Sequence, residues 1–531
     1  MTAIATNGFR HLLKPVSATN GHSINKGVTM HVNGNGHPMQ QPDDKLTFTW
    51  NVGLINSKNH YLTAETFGNK VNVTGTSLRK KQFWTLIPGR DINVIALKSH
   101  LGKYLSIDQY GNVTCEAEHP GDGEYFTILE ADDHSGRWAL RNEKSQYFLS
   151  GDGEKLSGTS RLTVPNEFWT IHMSIHPVCT LRNIGRKRYA RARGDEIQCD
   201  QDVPWGQESL LTLEFIQQRY VIKTYSGLYL NNHGKLVPDI SPATLFTVVF
   251  YGGQAALRDN SGKFLSPFGN EATLRCKNPN ISKAELFILE HAQPQCSLLA
   301  RNGRVVSMRQ GVDLSANQDS VSENEIFQLE CDKSSKCWRL RTCLNKYWCI
   351  QGSSHGIQAN GDAGSDESGF ELVWMGDGKV SLKSVKNGKF VLARPTGHLF
   401  AQSDSVDTAE QFQLLISNRP IIGLRSVYGF VGLKTATSTK LECNKSSIEP
   451  IRLENAPSGA IYLQGPNGLY LNVGDDQVIN SDAKEPRPFF IQFRESGRIT
   501  LKAPNGRYAV PEQNGLFKAS ADEHSAAEWE Y

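Results

Sequence analysis

The feature that most constrains the fold is a short repeat that recurs twelve times along the chain. Each unit begins with a stretch in which apolar and polar residues alternate, for example Val94-Ile-Ala-Leu-Lys98. A turn with Gly or Asn follows, and then an aromatic residue, as in Gly102-Lys-Tyr104 and Gly506-Arg-Tyr508. Alternation with a period of two, broken by such turns, predicts β-strands and not helices.

Two positions of the unit can be followed through all twelve copies. The residue after the turn is aromatic in every unit but the seventh: Tyr61, Tyr104, Tyr147, Tyr189, Tyr229, Phe264, Val305, Tyr347, Phe390, Phe430, Tyr470 and Tyr508. A large residue closes each unit: Trp84, Phe126, Trp169, Leu211, Phe246, Phe287, Phe327, Phe370, Phe412, Ile451, Phe489 and Trp529. The closing residues recur at roughly 40 positions, a period typical of repeat architectures. We expect both sets to form the core.

Twelve units of four short strands fit two architectures. A β-propeller has typically four to eight blades, so twelve units would need two rings. The Trp-Asp mark of that repeat is missing, and Gly-His does not recur from unit to unit. A β-trefoil uses three such units, so four trefoils account for all twelve, each of an ordinary domain size. We therefore predict an all-β protein of four tandem β-trefoil domains.

Proline recurs near the start of the fourth, seventh and tenth units, in His176-Pro177, Gln293-Pro294 and Arg419-Pro420. The domains are therefore expected at residues 47–176, 177–293, 294–418 and 419–531. Residues 1–46 are rich in Asn, Gly, His, Thr and Pro and have little apolar periodicity. That composition predicts a disordered tail, and its histidines are too widely spaced to suggest a metal site: His22, His31 and His37.

The cysteines and the apolar pattern indicate a cytoplasmic protein. Ten cysteines occur without a Cys-x-x-Cys pair, and four of them are spaced six apart: Cys331, Cys337, Cys343 and Cys349. Zinc ligands usually come in close pairs, so small apolar fillers in a reducing cytosol are favoured over a metal site. No signal-peptide core or stretch of about 18 apolar residues occurs, so we expect no membrane insertion.

Two other classes of function are disfavoured by missing motifs. No Gly-x-Ser-x-Gly, His-Glu-x-x-His, P-loop or spaced carboxylate motif stands out, so we predict no enzyme, catalytic residue or cofactor. Ricin-type lectin trefoils repeat Gln-x-Trp, whereas here Gln82-Phe-Trp84 is the one match. A scaffold that binds membrane receptors stays open as an alternative.

Several stretches resemble the fascin family. They include Gly53-Leu-Ile-Asn56, Asp202-Val-Pro-Trp-Gly206, Asn418-Arg-Pro-Ile-Ile422 and Trp529-Glu-Tyr531, and the similarity runs in order from about Thr47 to the last residue. The chain resembles an invertebrate fascin. The resemblance implies four trefoils packed as two lobes, and a monomeric, cytoplasmic protein that crosslinks actin filaments into tight parallel bundles. It places the protein in the actin cytoskeleton of filopodia, bristles and other cell protrusions.

Two basic runs are candidate contacts for an acidic filament: Arg79-Lys80-Lys81 and Arg186-Lys187-Arg188. Lys plus Arg is 57 against 54 for Asp plus Glu, so such a partner must be met by local patches. A basic triplet alone is more often a solvated loop, but fascins have actin-binding cations at these places. The resemblance further implies a cleft between the first and fourth trefoils, with Arg425 and Lys434 on the fourth-trefoil side. It also implies another surface at Lys389 and Arg394, in the third trefoil. We expect no nucleic-acid partner.

The fourth-domain side of that cleft is less charged here than the family pattern implies. Vertebrate fascins have Lys, Glu, His, Lys and Lys at the positions of His60, Val427, Tyr428, Thr435 and Val510. Ser77 precedes Leu-Arg-Lys-Lys, a context suited to a basophilic kinase, although any turn can contain a serine. The resemblance implies a regulatory phosphorylation site there, where phosphate would add about −1.5 to −2 charges beside three cations.

Overall fold

The computed structural model describes residues 50–531, apart from residues 92, 252, 253, 310, 333 and 457. In this part of the chain there are 48 β-strands and nine short 3-10 turns, and no α-helix. The prediction of an all-β protein is therefore confirmed. The predicted tail, residues 1–46, lies outside the described residues.

Trefoil 1 is a closed ring of six strands with three hairpins at one end. Its strands are β1 (Asn51–Ile55), β2 (Tyr61–Ala64), β3 (Val71–Gly75), β4 (Trp84–Pro88), β5 (Val94–Ser99), β6 (Tyr104–Ile107), β7 (Val113–Ala117), β8 (Tyr125–Glu130), β9 (Trp138–Asn142), β10 (Phe148–Asp152), β11 (Lys155–Ser160) and β12 (Phe168–Met173). The ring runs β1–β4–β5–β8–β9–β12 and closes when β12 pairs with β1. The hairpins β2–β3, β6–β7 and β10–β11 complete the three units. This is the β-trefoil topology.

Trefoil 2 repeats the arrangement. Its strands are β13 (Val178–Asn183), β14 (Arg188–Arg193), β15 (Glu196–Gln201), β16 (Leu211–Ile216), β17 (Arg219–Thr224), β18 (Tyr229–Leu230), β19 (Leu236–Val237), β20 (Thr247–Tyr251), β21 (Gln254–Arg258), β22 (Phe264–Phe268), β23 (Thr273–Asn278) and β24 (Leu286–His291). β13 pairs with both β16 and β24. An isolated bridge between Tyr220 of β17 and Phe246, the residue before β20, joins the two ends of the second unit.

Trefoil 3 closes in the same way, because β36 pairs with both β25 and β33. Its strands are β25 (Gln295–Leu299), β26 (Val305–Ser307), β27 (Ser315–Gln318), β28 (Phe327–Asp332), β29 (Cys337–Arg341), β30 (Tyr347–Ile350), β31 (Ile357–Gly361), β32 (Phe370–Gly376), β33 (Lys379–Ser384), β34 (Phe390–Ala393), β35 (Leu399–Ser403) and β36 (Phe412–Ser417).

The strand pairing of trefoil 4 is more interrupted than that of the other three trefoils. Its strands are β37 (Ile421–Ile422), β38 (Arg425–Ser426), β39 (Gly429–Leu433), β40 (Leu441–Lys445), β41 (Ile451–Asn455), β42 (Ile461–Gln464), β43 (Tyr470–Val473), β44 (Ile479–Ala483), β45 (Phe490–Phe493), β46 (Ile499–Lys502), β47 (Tyr508–Pro511) and β48 (Phe517–Ala521). The first strand is split into β37 and β38. Isolated bridges from Ile499 to Trp529 and from Arg425 to Glu530 complete the ring.

The same backbone hydrogen bond marks the start of every trefoil. Pro177 O accepts from Leu213 N at 2.9 Å, and Pro294 O accepts from Leu329 N at 2.8 Å. The carbonyls of Trp50 and Pro420 accept equivalent bonds at 2.8 and 3.0 Å. Each recurrence lies three units after the last, so it supports the grouping of the units in threes. The domain limits drawn from the prolines stay a prediction.

The closing residues of the units form the centres of the trefoils. All twelve have a relative exposure of 0%, which confirms that they are core: Trp84, Phe126, Trp169, Leu211, Phe246, Phe287, Phe327, Phe370, Phe412, Ile451, Phe489 and Trp529. Full burial of a large apolar side chain contributes about 1.5–3 kcal/mol. The repeat is therefore maintained by the core of each barrel.

Eight of the twelve residues after the turns are buried, as expected, and the other four are half-buried: Tyr147, Tyr229, Phe390 and Tyr470. In seven units, a basic residue of the first strand lies over this ring, with the charge 5.4 to 5.9 Å from the centroid. Lys98 pairs across its hairpin with Tyr104, and Arg341 pairs in the same way with Tyr347. These rings thus combine full or partial burial with a cation–π contact, worth roughly 0.5–2 kcal/mol each.

Nine units carry a 3-10 turn shortly before the closing residue. The turns are Lys80–Gln82, Pro165–Glu167, Gln207–Ser209, Pro242–Thr244, Lys283–Glu285, Glu323–Glu325, Asp366–Ser368, Thr408–Glu410 and Glu523–Ser525. The last residue is buried in the first eight of them. Its side chain commonly accepts a hydrogen bond from the backbone N–H of the residue three positions earlier, as Glu285 Oε2 does from Ser282 N at 2.9 Å. Each turn is therefore fixed to the barrel beneath it.

Trefoils 1 and 2 share one continuous apolar cluster, and trefoils 3 and 4 share another. In the first lobe the rings of Trp50 and Phe250 meet edge to face, with centroids 5.3 Å apart. In the second lobe Trp374 Nε1 donates to Phe493 O at 3.1 Å. Smaller clusters join the lobes, one of them formed by Val203, Trp205 and Ile326. Each pair of trefoils is thus held as one body.

No disulfide bond links the ten cysteines, all of which lie in the described part of the chain. Cys337 and Cys349 are buried, while Cys331 and Cys343 are half-buried against the core, as expected of small apolar fillers. Within the described ranges, no three His, Cys, Asp or Glu side chains are arranged to hold a metal ion. Nothing helical in that part of the chain has the length and apolarity to cross a bilayer.

Candidate functional site

A cleft of about 320 Å³ lies where trefoils 1, 2 and 4 meet. Trefoil 1 contributes Arg79 and Phe83 to its lining, trefoil 2 contributes Phe215, and trefoil 4 contributes Arg425 and Phe430. Aromatic rings and guanidinium groups therefore line the same depression. The structure thus brings Arg79 of the first basic run and Arg425 to the same cleft.

The 3-10 turn Lys80–Gln82 holds the first basic run at the edge of the cleft. Gln82 is buried, where its Nε2 donates to Thr63 Oγ1 at 3.0 Å and its Oε1 accepts from Arg79 N at 3.2 Å. Arg79, Lys80 and Lys81 are exposed. One anchored amide thus fixes a loop whose three cationic side chains are directed into solvent.

Ser77 lies beside these cations. Arg79 Nε donates to Ser77 Oγ at 3.1 Å. Lys81 Nζ lies 2.7 Å from Glu65 Oε2, and hydrogen bonds from Lys81 and Asn72 lower the pKa of this carboxyl. A phosphate on Ser77 would therefore lie next to Arg79 and reduce the positive charge of the loop.

Arg425 is built into the wall of the cleft instead of standing on its surface. Only 11% of its side chain is exposed, and its guanidinium lies 5.4 Å from the ring centroids of both Phe83 and Phe430. Its Nη2 donates to Ser174 Oγ at 3.1 Å, and its Nη1 lies 3.4 Å from Glu530 Oε2. This one side chain therefore joins trefoil 4 to trefoil 1.

Glu530, the carboxylate that pairs with Arg425 in the wall of the cleft, is one residue that sequence reasoning missed. It stands in the terminal Trp529-Glu-Tyr531 motif, which was a signal of the family but had no assigned role. Burial raises the pKa of its carboxyl, but the positive charges around it, with Arg425 the strongest and Arg498 among them, together outweigh burial and hold that pKa below its ordinary value. Glu530 also pairs with Arg498 at 3.1 Å, so it stays ionised between two cations.

Two histidines support the cleft, of which His172 is half-buried and His176 is buried. His172 stacks on Phe215 with ring centroids 4.0 Å apart, and its Nδ1 lies 2.9 Å from Tyr61 Oη. Burial lowers the pKa of His172 to about 3, so its ring is neutral at pH 7. His176 Nε2 lies 2.7 Å from Gly423 O, which fixes a neutral ring between trefoils 1 and 4. No sequence pattern signalled either of them.

The remaining predicted residues of this region lie at the margin. Lys434 is exposed, with its Nζ 3.6 Å from Glu442 Oε1. Two of the departures from the family pattern, Val427 and Tyr428, line the cleft, and 63% of Val427 is exposed. Among the described residues that line the cleft, the other departures do not appear: His60, Thr435 and Val510. An apolar residue therefore replaces a charged one at the rim.

The second basic run forms a separate surface, which we call the turn surface: Arg186, Lys187 and Arg188. Lys187 is exposed and has a left-handed backbone with φ 56°. Arg188 forms an ion pair with Asp202. None of the three is among the described residues that line the cleft. The turn surface therefore belongs to trefoil 2 alone.

Lys389 and Arg394 lie on trefoil 3. Lys389 forms an ion pair with Asp404, and Arg394 Nη2 donates to Gln402 Oε1 at 2.8 Å. The Arg394 guanidinium lies 3.7 Å from the centroid of the Phe400 ring. The predicted cations thus fall on three regions of the molecule, and their assignment to actin stays a prediction.

A protein-family model described as the Fascin domain matches the chain four times, at residues 58–171, 180–289, 301–414 and 430–531. The chain belongs to the fascin family. Fascin-2 of Bos taurus is 38% identical over 485 residues, which cover 90% of this chain and 97% of the bovine protein. Fascin of Strongylocentrotus purpuratus is 31% identical over 509 residues, which cover 92% of this fascin and 99% of the sea-urchin protein.

Solved structures similar to this fascin include the designed three-fold symmetric protein ThreeFoil. It is 20% identical over 23% of this chain and 97% of ThreeFoil, with a TM-score of 0.21. The BEL β-trefoil is 15% identical over 23% of this chain and 92% of its own, with a TM-score of 0.22.

Proposed function

We propose that this fascin crosslinks actin filaments into tight parallel bundles through at least two basic surfaces on a rigid four-trefoil body. The observation that carries the proposal is membership of the fascin family over all four trefoils. Because actin filaments are acidic, cationic loops are the natural contacts. The cleft loop with Arg79, Lys80 and Lys81 and the turn surface on trefoil 2 are the two strongest candidates.

Rigidity supports bundling over loose crosslinking. A protein with one site decorates filaments, and a flexible protein with two sites produces networks. Here each pair of trefoils shares an apolar cluster, and Arg425 ties trefoil 4 to trefoil 1. Two surfaces on such a body keep a constant separation, which favours a constant spacing between filaments.

The remaining parts of the proposal concern the other surfaces, regulation and location. Lys389 and Arg394 would form a further contact, with Arg425 and Lys434 completing the cleft. Ser77 would accept phosphate from a basophilic kinase. The protein would act without a cofactor or catalytic residue, as a monomer in the cytoplasmic actin cytoskeleton of filopodia, bristles and other protrusions.

Co-sedimentation with actin tests the proposal directly. We expect the full chain to pellet actin at low centrifugal speed and electron microscopy to show parallel bundles. Replacing Arg79, Lys80 and Lys81 together by alanine should abolish low-speed pelleting. The control Arg507→Ala removes an exposed cation that pairs with Asp522 on trefoil 4, and it should bundle normally.

Three outcomes would contradict the proposal. Bare filaments or random networks with the pure protein would reject bundling. Equal bundling by the triple variant would reject the cleft loop as a contact. Binding to receptor tails without any effect on filaments would favour the scaffold alternative.

A further inference from the structure

The turn surface has a neighbour that sequence reasoning did not connect with it. Phe268, the last residue of β22, and Gly269, the first residue of the turn to β23, lie more than 80 positions after Arg186, and Arg186 Nη2 donates to Gly269 O at 2.8 Å. Gly269 has a left-handed backbone with φ 73°, which turns its segment outward. The two turns are therefore joined on one face of trefoil 2.

Phe268 stands on this face as an exposed aromatic ring. It has a relative exposure of 46%, although it follows strand residues that are mostly buried. The ammonium of Lys277, itself exposed, lies 3.3 Å from the centroid of the ring. A cation–π contact at an exposed site is weak but favours this orientation of the ring, which reduces the conformational entropy lost when a partner covers it.

The charges around the ring are mostly positive. Arg186, Lys187 and Lys277 are exposed cations of this face. Glu271 is the acidic residue of the same turn, and its Oε2 accepts from Gln198 Nε2 at 3.4 Å. An exposed aromatic ring among cations has the composition of a binding hot spot, in which an apolar anchor is surrounded by polar contacts.

We propose that Phe268 and Lys277 extend the turn surface and that the Phe268 ring is its apolar anchor on the acidic actin filament. This inference rests on the proposed function and adds the residues that give the second contact its affinity. Cations alone speed the association of the protein with the filament in a salt-sensitive way. An aromatic ring that becomes buried in the interface slows the dissociation of the complex.

The test compares the full-length protein with two single variants. We expect Phe268→Ser to raise about tenfold the protein concentration needed for half-maximal low-speed pelleting of actin, as loss of an interface anchor does. Lys277→Gln should raise it by a smaller factor and reduce its dependence on salt. High-speed co-sedimentation of Phe268→Ser should persist, because the cleft loop still binds single filaments.

The matched control is Tyr110→Ser, which removes another exposed ring from a hairpin turn. Tyr110 is 75% exposed on trefoil 1 and lies outside both predicted surfaces, so bundling should not change. Wild-type pelleting by Phe268→Ser would overturn this inference and leave the proposed function intact. A wild-type protein that does not bundle actin would overturn both. Equal losses for Phe268→Ser and Tyr110→Ser would also reject a specific role for Phe268.

Discussion

The cleft and the turn surface use the same residue types but differ in how much of the molecule makes them. The cleft needs trefoils 1, 2 and 4, and its Arg425 is 11% exposed. The turn surface needs trefoil 2 alone, and its Arg188 is 42% exposed. Both arginines pair with a carboxylate, yet one holds domains together and the other faces solvent. An arginine in a predicted binding region can thus be structural, and its burial decides which role dominates.

The largest expected difference between the two surfaces is in stability. Arg425→Ala removes the donor to Ser174 Oγ and leaves Glu530 with Arg498 as its remaining cation, and breaking such a largely buried pair costs up to about 3 kcal/mol. Arg188→Ala removes an exposed pair and should cost less than about 1 kcal/mol. Urea unfolding followed by tryptophan fluorescence measures both. Equal losses for the two variants would show that the cleft does not depend on Arg425.

The second expected effect is on the pH dependence of stability, and it arises at the cleft, which His172 helps to line. The folded-state pKa of His172, about 3, lies below its unfolded value, so this histidine contributes stability above pH 6.5 that is lost as the pH falls toward 3. At pH 5 the loss is about 2 kcal/mol relative to pH 7. His172→Phe should remove that part of the pH dependence, as measured by urea unfolding at both values. The control His233→Phe replaces an exposed histidine and should leave the profile unchanged. A profile for His172→Phe identical to wild type would disprove the assignment.

The smallest expected effect is in filament affinity, and it separates the cleft loop from the turn surface. Ser77→Asp adds negative charge beside Arg79 and should raise the half-maximal bundling concentration about tenfold, or roughly 1.4 kcal/mol. High-speed binding should persist through the turn surface, and the fold should survive because Ser77 lies in a surface loop. Ser77→Ala is the matched control and should bundle normally. Normal low-speed pelleting by Ser77→Asp would refute the regulatory role.

Local pattern was enough to predict the core of this protein. The closing residues are all fully buried because a period of two along a strand determines which face meets the barrel interior. The same logic predicted the burial of most aromatics after the turns, but not the residue that lies over them. Tyr104 and Tyr347 are each 7% exposed, and a Lys or Arg across each hairpin lies over the ring. The basic residue six positions earlier in both hairpins could have signalled this contact.

The cleft could not be predicted in the same way. Arg425 meets Ser174 from 251 positions away, and that contact exists only because trefoil 4 packs against trefoil 1. No local periodicity encodes the relative position of two domains. The family resemblance pointed to Arg425 but did not distinguish a buried brace from an exposed contact. The joined turns at Arg186 and Gly269 depend likewise on how the units of trefoil 2 meet.

The apolar cluster shared by trefoils 1 and 2 also bears on how the chain is synthesised. Trefoil 1 leaves the ribosome first, and Trp50 and Trp138 then face water until Phe250 of trefoil 2 has been made. A nascent chain that halts between the two trefoils would present that face to other nascent chains and to chaperones. The lobe, and not the single trefoil, is thus the smallest piece that can leave the ribosome with Trp50 and Trp138 packed against Phe250.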